Sequence, residues 1–165
     1  MHPVEQISWF EAIEFCQRLS KLVDREIRLP SEAEWEYACR ANTVTPFCFG
    51  ETLMPDQANY DWRKAKIESP PPWLRQTTPV QQFPANGFGF YDLHGNVAQW
   101  CLDGWHPNYR NTPSDGSSWS AEDDSGRIIR GGTWFSPPKQ CRSAYRSSRF
   151  PGLRDATIGF RIVAV

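Results

Sequence analysis

Net charge is what this chain has least of: 18 Lys and Arg stand against 19 Asp and Glu in 165 residues, a formal balance of −1. No overall field then draws it to a nucleic-acid backbone or an anionic membrane surface, and neither is expected as a partner. Long apolar runs are missing too, and the first eight residues carry no basic segment followed by an apolar stretch. No membrane-spanning or secretion-signal pattern is read, and a cytoplasmic location is the expectation. Zinc spacing is also absent. The five cysteines, Cys16, Cys39, Cys48, Cys101 and Cys141, include no Cys-x-x-Cys pair and no nearby His in zinc spacing. They read as buried free thiols in a reducing compartment. There is no internal repeat.

What is present suits one domain spanning residues 1–165, since the length and a 39% hydrophobic content suffice for a real core. Eight Trp, 14 Pro and 11 Gly point to long loops pinned by aromatic anchors rather than to extensive regular structure. Residues 8–23 form an amphipathic helix with Trp9, Ala12, Ile13, Cys16, Leu19 and Val23 on one stripe. Ser8 and Glu11 open it as a capping box, and Ser31 and Glu34 repeat the device for a second helix over residues 32–40. Residues 41–82, including Pro70-Pro71-Pro72, have no period and read as loop. Gly87, Gly89 and Gly95 alternate with Phe88, Phe90 and Tyr91, as where backbone packs closely against aromatics. Residues 107–126 read as an exposed loop. Strand character returns at residues 127–130 and 158–163, around a stretch, 135–157, without apolar period. A long ordered loop of that kind is usually functional.

Four blocks in register resemble the sulfatase-modifying-factor (formylglycine-generating-enzyme) family: Arg28-Leu29-Pro30-Ser31-Glu32-Ala33-Glu34-Trp35, Asn86-Gly87-Phe88-Gly89-Phe90-Tyr91-Asp92-Leu93-His94-Gly95-Asn96-Val97, Arg130-Gly131-Gly132-Thr133-Trp134, and Ile158-Gly159-Phe160-Arg161. The resemblance implies an α+β, C-type lectin-like fold with two short helices, a small β-sheet and extensive irregular loops. Family domains generally begin further upstream, so the chain is expected to be the C-terminal part of a longer protein. Trp35, Phe88, Tyr91, Trp100, Trp134 and Phe160 are expected to be buried anchors.

The oxidase members of that family gather copper(I) on two cysteines, the first a few residues after the Gly-Gly motif. Here Ser136 stands where the first thiol would be, and Cys141 is the one cysteine nearby. A hydroxyl cannot replace a thiolate for a soft metal, so no oxidase activity is expected, and Cys141 reads as a structural cysteine. The iron-dependent sulfoxide synthases of the same family take His ligands from a separate domain, and no His-x-x-x-His occurs here.

The last forty residues, with Arg130-Gly131-Gly132-Thr133-Trp134, Cys141-Arg142-Ser143-Ala144-Tyr145-Arg146, Pro151 and Ile158-Gly159-Phe160-Arg161, resemble the variable proteins of diversity-generating retroelements. Adenine randomisation of asparagine codons in that group cannot produce Lys, Gln, Glu, Met or Trp. The residues at the positions that the resemblance marks as variable are Phe135, Ser136, Pro137, Tyr145, Ser147, Ser148, Arg149, Phe150, Gly152, Leu153, Asp155, Ala156 and Thr157. All belong to the allowed set, as most residue types do. Lys139 and Gln140 do not and are taken as fixed. The resemblance thus implies a ligand-binding surface for a protein or other macromolecule, with Tyr145, Arg149 and Phe150 as anchors. Phe135, Ser136, Tyr145, Ser147, Arg149, Phe150, Leu153 and Asp155 are expected to be mostly exposed on one face. In the alternative, Phe150 and Leu153 are core residues under a loop. Arg142, Arg146, Arg149 and Arg154 read as solvated or paired arginines.

No cofactor is required by this reading, but the resemblance maps a calcium site to the side chains of Asp92 and Gln99 and the carbonyls of Gly95 and Val97. Gln99 replaces the family's Glu and removes one charge; a structural turn without metal is the alternative. A second family site begins at Asn59 and Tyr60, with no counterpart to its later Asp among residues 70–74. Two other functional classes stay open: a formylglycine-generating-type oxidase or degenerate relative, and a structural or regulatory module that docks on its own chain or on a copy.

Overall fold

Ser8 and Ser31 start the two helices as the capping pattern predicts. In the computed structural model, which describes residues 1–65, 67–68, 71–120 and 126–165, helix α1 is Trp9–Val23 and helix α2 is Glu32–Arg40. Each serine hydroxyl accepts the backbone N–H of the Glu three residues on, and each Glu carboxylate accepts the serine N–H in return. Strand β1, Ile27–Arg28, joins them. Pro70 and part of the expected loop over 107–126 lie outside the described residues.

Four further strands form the main sheet: β2 (Ala98–Gly104), β3 (Arg127–Arg130), β4 (Arg146–Arg149) and β5 (Ile158–Phe160). Their order is β4-β3-β2-β5, with β5 parallel to β2 and the other pairs antiparallel; β6 (Val163–Ala164) pairs with β1. Side chains alternate across the sheet. Trp100 and Ile129 join Ala12 and Cys16 of α1 in one core cluster, whereas Cys101 and Ile128 join Trp35 and Cys39 of α2 in another. The sheet is thus clad by a helix on each face. A third cluster, with Phe47, Leu53, Tyr60, Trp62 and Cys141, lies among the loops.

Strands β2 and β4 were not visible as strands. All of β2 but Leu102 is buried, so it lacks the in-out alternation of a half-exposed strand, and its polar members are paired internally: Asp103 accepts from the backbone of Glu32 and Trp119. β4 is an edge strand of Arg-Ser-Ser-Arg with no apolar member. The expected closing strand over 158–163 is broken at Arg161, which turns inward to donate to the Gln99 side chain and the Tyr91 carbonyl.

The aromatic anchors divide. Trp35 and Trp100 are fully buried, Trp134 and Phe160 half-buried, and Phe88 and Tyr91 exposed, contrary to expectation. The glycine-aromatic tongue is held by Asn86 instead of by its rings. The Asn86 amide donates to the Ala38 carbonyl, and its Oδ1 accepts from the Phe88 and Phe90 N–H groups.

Candidate ligand-binding cleft

The site begins with how β4 is fixed. Arg130, on the neighbouring β3, is fully buried; its guanidinium donates to Glu32 (2.8 Å), Glu36 and the Ser143 carbonyl. Arg146 of β4 grips both oxygens of Glu32 at 2.6 and 2.7 Å and lies over the Tyr109 ring. Two α2 carboxylates therefore lock both strands in place. Strand alternation then sends Ser147 and Arg149 to the opposite side.

On that side, Phe135, Ser136, Pro137, Arg149 and Thr157 border one open cleft of about 830 Å³, joined by Lys64, Thr133, Lys139 and Gln140. Tyr145 and Ser147 line an adjoining hollow of about 80 Å³ that also reaches Arg149. Seven of the thirteen candidate positions thus come together. Phe150, Gly152, Asp155 and Ala156 follow on the connection to β5 outside these hollows, with Phe150 71% exposed and Gly152 against its ring.

Exposure does not follow the expected pattern throughout. Phe135, Arg149 and Phe150 are exposed; Tyr145, Ser147 and Asp155 are half-buried. Ser136 is buried, because its hydroxyl accepts the Thr133 N–H and its carbonyl accepts the Asp61 N–H, which makes it part of the turn's framework. Leu153 packs against the α1 core cluster, and Ser148 faces Gly126 instead of the cleft. The Ser136 turn holds Phe135 at its tip, where Trp73, Trp134 and Phe135 pack with centroids 5.7–5.9 Å apart. Lys64, Trp73 and Lys139 were missed as contributors: the first two lie in the stretch without a period, and Lys139 was read only as fixed.

Beneath the cleft, Cys141 is inaccessible, with its sulfur under Gly132. A Cβ on that glycine would stand 2.6 Å from Sγ, and burial drives the thiol far above its ordinary range. His94 braces it: Nδ1 donates to the Cys141 carbonyl at 2.7 Å and Nε2 accepts the Cys48 N–H at 3.1 Å. Burial lowers the imidazole to about 4, so the ring is neutral, as these two partners require. Cys39 and Cys48 are pushed up to about 12 and about 11, again by burial.

The calcium set does not fit a hard cation. Asp92, Val97 and Gln99 border a second cleft, of about 380 Å³, whose lining does not include Gly95. Gln99 Oε1 already accepts from Trp35 Nε1 and Arg161 Nε, its Nε2 donates to the Asp92 carbonyl, and Asp92 accepts the Gln81 N–H. A guanidinium thus stands against the very oxygen a dication would need. Among the described residues no cluster of three or more His, Cys, Asp or Glu is placed to hold a metal, and no helix is long and apolar enough to cross a membrane.

The family model for the sulfatase-modifying factor enzyme 1-like domain matches residues 1–165, and the chain belongs to that family. It is similar to the formylglycine-generating enzyme of Mus musculus, 34% identical over 99% of this chain and 44% of the relative. Among solved structures, PvdO from Pseudomonas aeruginosa superposes with a TM-score of 0.87 at 36% identity, covering 98% of this chain and 61% of that one. Treponema denticola variable protein 1 gives a TM-score of 0.80 at 26% identity over 98% of this chain and 70% of that one. The α+β formylglycine-generating-enzyme fold and the likeness to a variable protein are therefore both in hand. Mycobacterium tuberculosis supplies a relative of which the chain covers 57%, and Chlamydia pneumoniae one of which it covers 23%; the chain spans about half or less of most such relatives.

Proposed function

We propose that this domain binds a protein or other macromolecular ligand, in the manner of a retroelement variable protein, through the cleft bordered by Phe135, Arg149 and Thr157. One observation carries the reading: these residues, from three separate chain segments, converge on open space while ion pairs to α2 fix the strands beneath. Similarity to a variable protein supports it. The free cysteines support a reducing compartment, taken here as the cytoplasm.

A second reading, an oxidase or a degenerate relative of one, draws on the 34% identity to a formylglycine-generating enzyme. Against it stand the Ser136 hydroxyl at the first thiol position and the sealed, strongly protonated Cys141. Neither metal nor cofactor is assigned a role.

The test is a combined Phe135→Ala, Tyr145→Ala, Arg149→Ala and Phe150→Ala variant. Arg149→Ala and Phe150→Ala, at exposed positions, should change unfolding free energy by about 0.5 kcal/mol each, and half-buried Tyr145 and the packed Phe135 ring by about 1 kcal/mol each, so the variant should stay folded. Partners captured from the source cell by the parent protein should be lost. An unfolded variant, or an unchanged set of partners, would remove the cleft from consideration.

A further inference from the structure

The cleft's charge is at odds with the chain's. Lys64, Lys139 and Arg149 border it without a carboxylate among the described lining residues, although the chain as a whole is net −1. Among the described residues Arg149 donates to the Ser147 hydroxyl and the Ser148 carbonyl. The Arg63 guanidinium lies 3.7 Å from the centroid of Trp73, at the same aromatic cluster as Phe135. Among the described residues Asp61 is engaged by Arg63 and, at 3.8 Å, Lys64, and Asp155 by the Thr157 N–H and hydroxyl.

Across the ridge formed by Pro138 and Lys139 the cleft continues into a trough of about 560 Å³. Its walls are Phe47, Leu53, Met54, Ala65 and Ile67, with Glu51, Glu68 and Arg142 also on its lining. Cationic ground thus adjoins apolar ground within one groove. A nucleic acid would bring phosphates along its whole length, up to Glu51 and Glu68, and offers the trough no aliphatic group larger than a thymine methyl. A polypeptide can present both chemistries in sequence.

We infer that the groove takes a polypeptide segment in which an acidic block adjoins aliphatic or aromatic side chains, the acids over Lys139 and Arg149 and the apolar groups in the trough. This rests on the cleft being the binding surface. Because the cations are open to water, their pull is salt-sensitive and sets preference more than raw affinity.

Fluorescence anisotropy with labelled 12-residue peptides tests it. One peptide joins an acidic block to a Leu-Phe pair; others replace the acids by Lys or by Ser and Gly, or omit the apolar pair; a 12-nucleotide oligothymidine is the competing polyanion. The acidic-apolar peptide should bind about tenfold more tightly than the Lys or the Ser-Gly peptide at low salt, and the margin should shrink at high salt. The Lys139→Glu, Arg149→Glu variant should reverse the order of the acidic and Lys peptides; Lys139→Gln, at a single exposed position, should narrow the margin. Met54→Asp should remove the advantage of the apolar pair. Equal binding of acidic and Ser-Gly peptides, lost in the fourfold alanine variant, would overturn this inference while leaving the cleft as a binding surface. Oligothymidine binding as tightly as the acidic-apolar peptide would overturn it in favour of a nucleic acid. Should no probe distinguish the parent from the fourfold alanine variant, the cleft reading itself fails.

Discussion

Arg130 on β3 and Arg149 on β4 carry the same side chain to opposite ends of the solvent scale. Arg130 is fully buried between two carboxylates of α2, whereas Arg149 is exposed with no carboxylate partner among the described residues. One side of the small sheet is locked by charges that already satisfy one another; the other presents charges that do not. A strand secured from behind can present side chains that its own hold on the sheet does not depend on. Arg146 ties the β4 backbone to Glu32 of α2, so replacing Ser147 or Arg149 is expected to leave the strand in place.

Breaking the locked side should have the largest effect. Arg130→Ala leaves Glu36 to Arg40 and Glu32 to Arg146, removes the donor to the Ser143 carbonyl and empties a fully buried site, and should cost about 3–5 kcal/mol in denaturant unfolding, enough to threaten the fold. Arg149→Ala should cost about 0.5 kcal/mol or less in the same measurement. Comparable losses for the two would erase the contrast.

Next in size is a pH effect under the cleft. His94 is held neutral with its proton affinity lowered to about 4 from an ordinary 6.5. Between those values the unfolded chain takes up a proton that the folded chain does not. Stability therefore falls as pH drops through that window, by on the order of 3 kcal/mol from this group, and this contribution levels off below about pH 4. Urea titrations across the window should show that slope, and His94→Gln should flatten it.

How far the sequence foretold this contrast depended on whether the signal was local. The helices were legible because both capping boxes sit within four residues of chain. Strand β4 was not, because an edge strand whose inward face is an ion-pair network has no apolar period to display. Phe135 and Arg149 were legible through the resemblance. Ser136 and Leu153 were read as surface because nothing in sequence marks a turn's internal hydrogen bonds or a loop side chain folded back on a distant helix. Lys64 reaches the cleft, and Trp73 packs on the Phe135 ring at its border, from more than sixty residues upstream, contacts that only the tertiary fold creates.

A smaller effect is expected from metal. Since Gln99 already accepts from Trp35 and Arg161, added calcium or a chelator should move the melting temperature by less than about 1 °C. A concentration-dependent rise with calcium would reopen that site.

Oxygen consumption with copper(I) and a cysteine-containing peptide distinguishes binding from oxidation in a single assay. With a serine at position 136 and the Cys141 thiol sealed beneath Gly132, the protein should consume no oxygen above the rate of copper and peptide alone. Peptide-dependent turnover that disappears in Cys141→Ser would make this domain an oxidase and rule out a purely binding role.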